Sequence, residues 1–266
     1  MKRFSLLLII VLAHNTIAQE VTGILGAFPP EIVLLQSKMV NKKDTIIRRT
    51  LFTKGILSGK NVVLAQTGIG KVNAAITTTL MIEHFKPKEI IFSGIAGGID
   101  PSLFPGDIVI GTQVSYHDFG TVQDTGMIYR PTRNPFTFQE NPVRFICDSA
   151  LVQKAFATAA GLSFSKVQRE NGSFSPTVIK GIIVTGDVFV SSEIITQRLR
   201  KDLNAAATEM EGAAIAQTCY QQEVPFLIIR SMSDNANNKA KGDMMRFYEI
   251  AARNAAELVM AVIGAK

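Results

Sequence analysis

The sequence offers little that could hold a metal. Its 266 residues include three histidines, His14, His84 and His117, and two cysteines, Cys147 and Cys219. No cluster with metal-ligand spacing can be assembled from them, so neither a metal centre nor a metal cofactor is expected. The two cysteines could pair in an oxidising compartment or remain as buried free thiols, and the sequence leaves both open. No apolar run is long enough for a membrane span of roughly 20 residues. Basic residues are scattered rather than collected into a run, which gives no indication of a nucleic-acid surface. There is no internal repeat. A G-x-S-x-G elbow is missing, and no other serine is set beside a candidate histidine, so covalent hydrolase chemistry has little support.

The start of the chain reads as a targeting segment. "MKRFSLLLIIVLAHNTIAQE" has Lys2 and Arg3, then an apolar run from Phe4 to Ala13, then the small residues Thr16 and Ala18 before Gln19. That order is the order of a secretory signal over residues 1–18, which predicts an exported, periplasmic or secreted protein with no stable membrane insertion after cleavage. Neither cysteine is near enough to the cleavage point for a lipid anchor. Residues 19–266 then suffice for one domain. Losing Lys2 and Arg3, and no acid, lowers the formal charge from +6 to +4.

From Val21 onward, short apolar runs alternate with amphipathic stretches. "VTGILGA", "EIIFSGIAGG", "DIVIGTQVSYH", "KGIIVTGD" and "PFLIIRSMSD" read as strands. "PPEIVLLQSKMV", with proline in its opening turn, and Lys71 to Phe85, Ala150 to Ala160, Ser192 to Leu203, Glu211 to Gln222 and Met244 to Ile263 read as helices. Ser58-Gly59-Lys60 separates two strand-like runs and predicts a hairpin. Helices recurring between strands imply an α/β domain with a parallel or mixed sheet. The polar stretch from Phe119 to Val143, with Pro131, Pro135 and Pro142, reads as a long loop or lid within the domain.

In such sheets chemistry gathers where strands end. "GAFPPE", "GIAGGID", "TEMEGAA" and "RSMSDNAN" qualify, and any common site must be assembled from all four by the fold. "TGIGK" is not a Walker loop: Ala65 stands where the first glycine belongs, and Val72 follows the lysine. Gly68 and Gly70 fit a tight turn into a helix better. "TEMEGAAIA" sets Glu209 and Glu211 either side of Met210. A helix N-terminus, which favours acids, explains one of the two better than both.

Taken in order, "GILGAFPPE", "TGIGKVNAA", "FSGIAGGID", "GDIVIG", "TGDVFV", "TEMEGAAIA" and "PFLIIRSMSDNAN" resemble the nucleoside phosphorylase superfamily, and most of all its methylthioadenosine/S-adenosylhomocysteine nucleosidases. The resemblance runs from about Val21 to the C-terminus and is weakest from Phe119 to Lys180. It implies a three-layer αβα fold around a central mixed sheet, a homodimer, and cleavage of the bond between adenine and a 5′-modified ribose with no cofactor. It also implies roles. Asp234 would face adenine N7 as the acid, with Ser233 holding its carboxyl. Phe189 would stack on the base, and the Val190 backbone would meet its edge. Met210 would lie against the sugar and Glu211 would bind its hydroxyls. Glu31 would position and deprotonate the attacking water, with Glu209 and Arg230 as supporting groups. Such residue types suit the reaction, because the departing adenine gains negative charge while the sugar becomes oxocarbenium-like.

Two other readings stay in view. In a phosphate-dependent purine nucleoside phosphorylase the nucleophile would be an anion that needs cationic donors. Phosphorylases resembling this fold often carry arginine where this chain has Phe92 and Pro29-Pro30-Glu31, which favours water. A non-catalytic nucleoside-binding or storage-like protein would be expected to have lost the acids, yet Glu31, Glu211 and Asp234 all remain. Ile95 replaces a Ser or Thr common in compact bacterial members, which removes a polar contact near the site.

Overall fold

The computed structural model describes residues 20–169 and 172–265, so the expected signal segment, residues 1–18, lies outside the described residues. The chain runs β1 (Thr22–Gly26), α1 (Pro29–Lys38), β2 (Val40–Ile47), β3 (Thr50–Leu57), β4 (Lys60–Gln66), α2 (Lys71–Phe85), β5 (Glu89–Gly98) and β6 (Ile108–Tyr116). It continues β7 (Gly120–Gln123), β8 (Gly126–Tyr129), β9 (Phe145–Ile146), α3 (Ser149–Ala159), β10 (Val167–Arg169), β11 (Gly172–Phe174) and β12 (Val178–Thr185). Then come α4 (Glu193–Leu203), β13 (Ala205–Glu209), α5 (Gly212–Gln221), β14 (Phe226–Asp234) and α6 (Ala240–Gly264).

The principal sheet has ten strands in the order β13-β12-β6-β14-β5-β1-β4-β3-β2, with β9 pairing β6. It is mixed. β1 is parallel to β4 and β5, and β14 is parallel to β5 but antiparallel to β6. β13 also pairs antiparallel with β5, through Ala207 opposite Gly98 and Thr208 opposite Gly97. That extra pairing rolls one end of the sheet into a closed ring, β13-β12-β6-β14-β5, and brings four strand ends together. α1, α3 and α6 pack together on one side of the sheet and α2 and α5 on the other, giving the αβα sandwich. Strands buried on both faces explain the near-continuous apolar runs of β1 and β14. The small residues Gly212, Ala213, Ala214 and Ala216 are buried in α5, where they allow close approach to α2.

The antiparallel β2-β3-β4 edge turns twice through tight two-residue loops. Ser58 and Gly59, at φ 49° and 77°, join β3 to β4 as the hairpin signal predicts. Arg48 and Arg49, at φ 48° and 68°, join β2 to β3. The stretch from Phe119 to Val143, expected as a long loop or lid, has regular structure of its own. It folds back as the β7-β8 hairpin, followed by an Arg133–Glu140 bridge. Cys147 and Cys219 are free and buried; burial pushes both thiols up, that of Cys147 to about 12. Among the described residues no helix is long and apolar enough to cross a membrane.

Candidate active site

A cavity of about 190 Å³ opens where β1, β5, β13 and β14 end. Its walls include Ala27, Phe28 and Glu31 from the β1-α1 junction, Ile95 to Gly97 from β5, Thr208 to Glu211 from the end of β13, and Ser233 and Asp234 from β14. Ile69, Phe189 and Met244 complete the rim. Four acids line it and no Lys, Arg or His does. Among the described residues no set of three or more His, Cys, Asp and Glu is placed to hold a metal ion.

Glu31 sits in the first turn of α1, opened by Pro29 and Pro30, and is buried. Its carboxylate accepts from the backbone N–H of Ile95 at 2.8 Å and of Phe28 at 3.4 Å, and closely from that of Ala27. Burial raises its pKa, opposed by the Arg230 charge and by these N–H donors. Space for the group depends on Gly94, where a Cβ would collide with both Glu31 and Arg230.

Arg230 lies beneath the cavity, fully buried, with its guanidinium 3.6 Å from the centroid of the Phe92 ring. Its Nη2 is 2.6 Å from Glu209 Oε2 and 3.6 Å from Glu211 Oε2, while Nη1 is 4.0 Å from Glu31 Oε1. One cation is therefore shared by three carboxylates. Glu209 is held most completely: it also accepts from Gly212 N at 2.7 Å and Glu211 N at 3.2 Å, and closely from Thr185 Oγ1. It braces the turn between β13 and α5. Glu211 accepts from Gly70 N at 2.9 Å, at the start of α2. Burial and the neighbouring Glu209 push its carboxyl up to about 8.

Asp234 is reached through an irregularity. The β14-β5 register shifts between Met232 and Asp234, leaving Ser233 as the extra residue and re-aiming the strand end. Ser233 Oγ donates to Asp234 Oδ2 at 2.8 Å, and Ala236 N donates to Oδ1 at 2.8 Å. Burial raises the Asp234 pKa, only partly offset by those two donors.

The structure thus brings Glu31, Phe189, Glu209, Met210, Glu211, Ser233 and Asp234 to one cavity and sets Arg230 directly below. Val190 does not line it. Its side chain is buried in a separate cluster with Ile182, Val184 and Leu199.

Several contributors escaped the sequence reading. Thr185 and the Gly70 backbone N–H hold the acid pair from other elements. Asp187, two residues before Phe189, accepts from Lys71 N at 2.8 Å, and its own N–H donates to Asp118 at 2.8 Å. Lys71 Nζ lies 2.7 Å from Asp118. This network ties the Phe189 loop to the start of α2. "TGIGK" and "TGD" were the only local signals for it, and neither states a partner.

A model of the phosphorylase superfamily matches residues 21–264. The 5′-methylthioadenosine/S-adenosylhomocysteine nucleosidase of Shewanella sediminis is 40% identical over 242 residues, covering 91% of this chain and 97% of that one. Among solved structures, the corresponding nucleosidase of Neisseria meningitidis, in complex with methylthio-immucillin-A, has a TM-score of 0.79 at 39% identity and covers 92% and 99% of the two chains. Futalosine hydrolase of Helicobacter pylori gives 0.76 at 29% identity, covering 92% and 97%.

Proposed function

The chain belongs to the phosphorylase superfamily and, within it, to the methylthioadenosine/S-adenosylhomocysteine nucleosidases, which are N-glycosyl hydrolases, and we propose that Asp234 and Glu31 divide its chemistry between them. The substrate is a 5′-modified adenine nucleoside: methylthioadenosine, S-adenosylhomocysteine or 5′-deoxyadenosine. The products are adenine and the free sugar. The observation that carries hydrolysis rather than phosphorolysis is the lack of a cation in the cavity wall. That wall holds four acids, and the one arginine beneath is already shared by three carboxylates. A phosphate nucleophile would find no cationic donor left to hold it there.

Burial favours the neutral form of Asp234, so its carboxyl donates a proton to adenine N7 as the glycosidic electron pair moves onto the base. The same burial brings Glu31 toward the range of a working base, and it takes a proton from water attacking the anomeric carbon. Arg230 Nη1, 4.0 Å from Glu31 Oε1, is placed to steady that water. Glu211 holds the ribose hydroxyls, Met210 lies against the sugar, and Phe189 stacks on the base.

The assembly is a homodimer on this reading, supported by exposed aliphatic side chains beside the cavity: Ile69, Val72 and Ile76 around the start of α2, and Val188 next to Phe189. The enzyme works outside the cytoplasm, a reading supported by the order of residues 1–18 and checked by the intact mass of protein from the native host. The reaction itself is tested in phosphate-free buffer with methylthioadenosine. Adenine and a reducing sugar are expected; strict dependence on phosphate, with a sugar 1-phosphate as product, would overturn hydrolysis.

A further inference from the structure

Five basic residues lie close together in the chain on one hairpin, β2-β3, at the free edge of the sheet. Between Val40 and Ile56 there are five cations and one acid, Asp44, which already accepts from Thr53 Oγ1 at 2.6 Å. Lys43 stands directly opposite Lys54 across the β2-β3 pair. Like charges in that position repel and weaken a sheet. Among the described residues, neither these lysines nor Arg48 and Arg49 at the tip have an ion-pair partner. Both arginines have positive φ, in a two-residue turn where Asn-Gly would sit without strain. Beside them Ile46, 74% exposed, pairs across the strands with Leu51, 45% exposed.

Lysines alone on an edge strand would be explained as protection against edge-to-edge pairing. That account gives no reason to place two arginines in a strained turn, or to leave two aliphatic side chains in water next to them. Cations flanking exposed aliphatics match a surface that is anionic outside and apolar just beneath. A single-stranded nucleic acid would call for exposed aromatic rings to stack on its bases. The aromatic of this hairpin, Phe52, is fully buried.

We propose that the β2-β3 tip is a docking site for an anionic phospholipid bilayer. Ile46 and Leu51 enter the headgroup boundary, Arg48 and Arg49 bind lipid phosphates, and Lys43 and Lys54 lie behind them within the surface potential. The nucleoside cavity stays free. Arg49 and Leu51 border a separate cleft of about 510 Å³ that shares no lining residue with it.

The test uses the purified protein with vesicles of phosphatidylcholine alone or of phosphatidylcholine and phosphatidylglycerol in equal parts. Binding to the mixed vesicles, weakened by salt and lost on the neutral ones, is expected. Each basic side chain at such a surface contributes about fivefold, so the double variant R48N/R49G should bind about 25-fold more weakly. Because Asn-Gly suits the turn, the same variant should melt a few degrees higher and keep full nucleosidase activity. The chain has no tryptophan, so Ile46→Trp provides a single probe whose emission should shift to the blue on mixed vesicles. Equal binding to neutral vesicles, equal binding by R48N/R49G, or no blue shift would each overturn the proposal. So would tighter binding to single-stranded RNA than to the mixed vesicles.

Discussion

Arg230 donates to Glu209 at 2.6 Å, and both side chains are buried. Glu211 and Glu31 approach the same cation at 3.6 and 4.0 Å, so Glu209 is its nearest counter-charge beneath the cavity. Removing one partner of a buried pair costs about 3–5 kcal/mol, and without Glu209 the guanidinium keeps only those two more distant acids. Glu209→Ala should therefore lower the melting temperature by about 10 °C, taking roughly 2–4 °C per kcal/mol for a chain of this size. Glu209→Gln, which retains acceptors for Thr185 and Gly212, should fold with a smaller loss. Thermal melts of the two variants check this, and equal losses would show that the lost charge, not the acceptors for Thr185 and Gly212, sets the cost.

Lys71 joins two walls of the cavity. It ties Asp118 and Asp187 to the start of α2, and so links the Phe189 loop to the Gly70 N–H that holds Glu211. The Lys71 and Asp118 side chains are 22% and 24% exposed, so water screens their pair and its stabilising effect is modest. The expected consequence of Lys71→Met is on binding: KM should rise about fivefold, with kcat close to that of the parent. Steady-state kinetics separate the two parameters. A large fall in kcat with KM unchanged would contradict a positioning role for the lysine.

Acidity should also affect stability. The Glu211 pKa in the folded protein, about 8, lies above its ordinary 4.5, so the native state holds an extra proton between those values. Such a group contributes stability that is fully present below the lower value and lost as pH rises through the upper one. Glu31 and Asp234, raised by burial, act in the same direction. The melting temperature should fall from mildly acidic pH toward pH 8, and Glu211→Gln should flatten the slope. Parallel curves for the two proteins would remove Glu211 as the cause.

Much of this architecture could be read from the sequence where burial imposes a pattern. The helix at Lys71–Phe85 and the strand at Glu89–Gly98 have the expected bounds, because amphipathic and doubly buried segments announce themselves. β2 went unread: "VNKKDTII" is a largely exposed edge strand and carries no apolar alternation over its first five residues. The β7-β8 hairpin, four exposed or half-buried residues to a strand, is equally silent. The acids of the site were legible as residue types at strand ends. Their arrangement depends on long-range pairing, since Thr208 meets Gly97 across β13 and β5 and Gly70 reaches Glu211 from α2. Phe92, which stands where related phosphorylases often carry arginine, packs its ring against the Arg230 guanidinium, a contact that no local pattern signals.

Asp234 carries the central claim, that a buried neutral carboxyl supplies the proton on which adenine leaves. Asn at this position would match its size and could still hydrogen-bond the base edge, but could not donate that proton. Because general-acid assistance contributes roughly 10²–10⁴-fold, kcat for methylthioadenosine should fall by about that factor in folded Asp234→Asn. Affinity for a non-cleavable adenosine analogue, measured alongside, should change little. A kcat near that of the parent enzyme would contradict the account and leave Asp234 as a residue that shapes the turn.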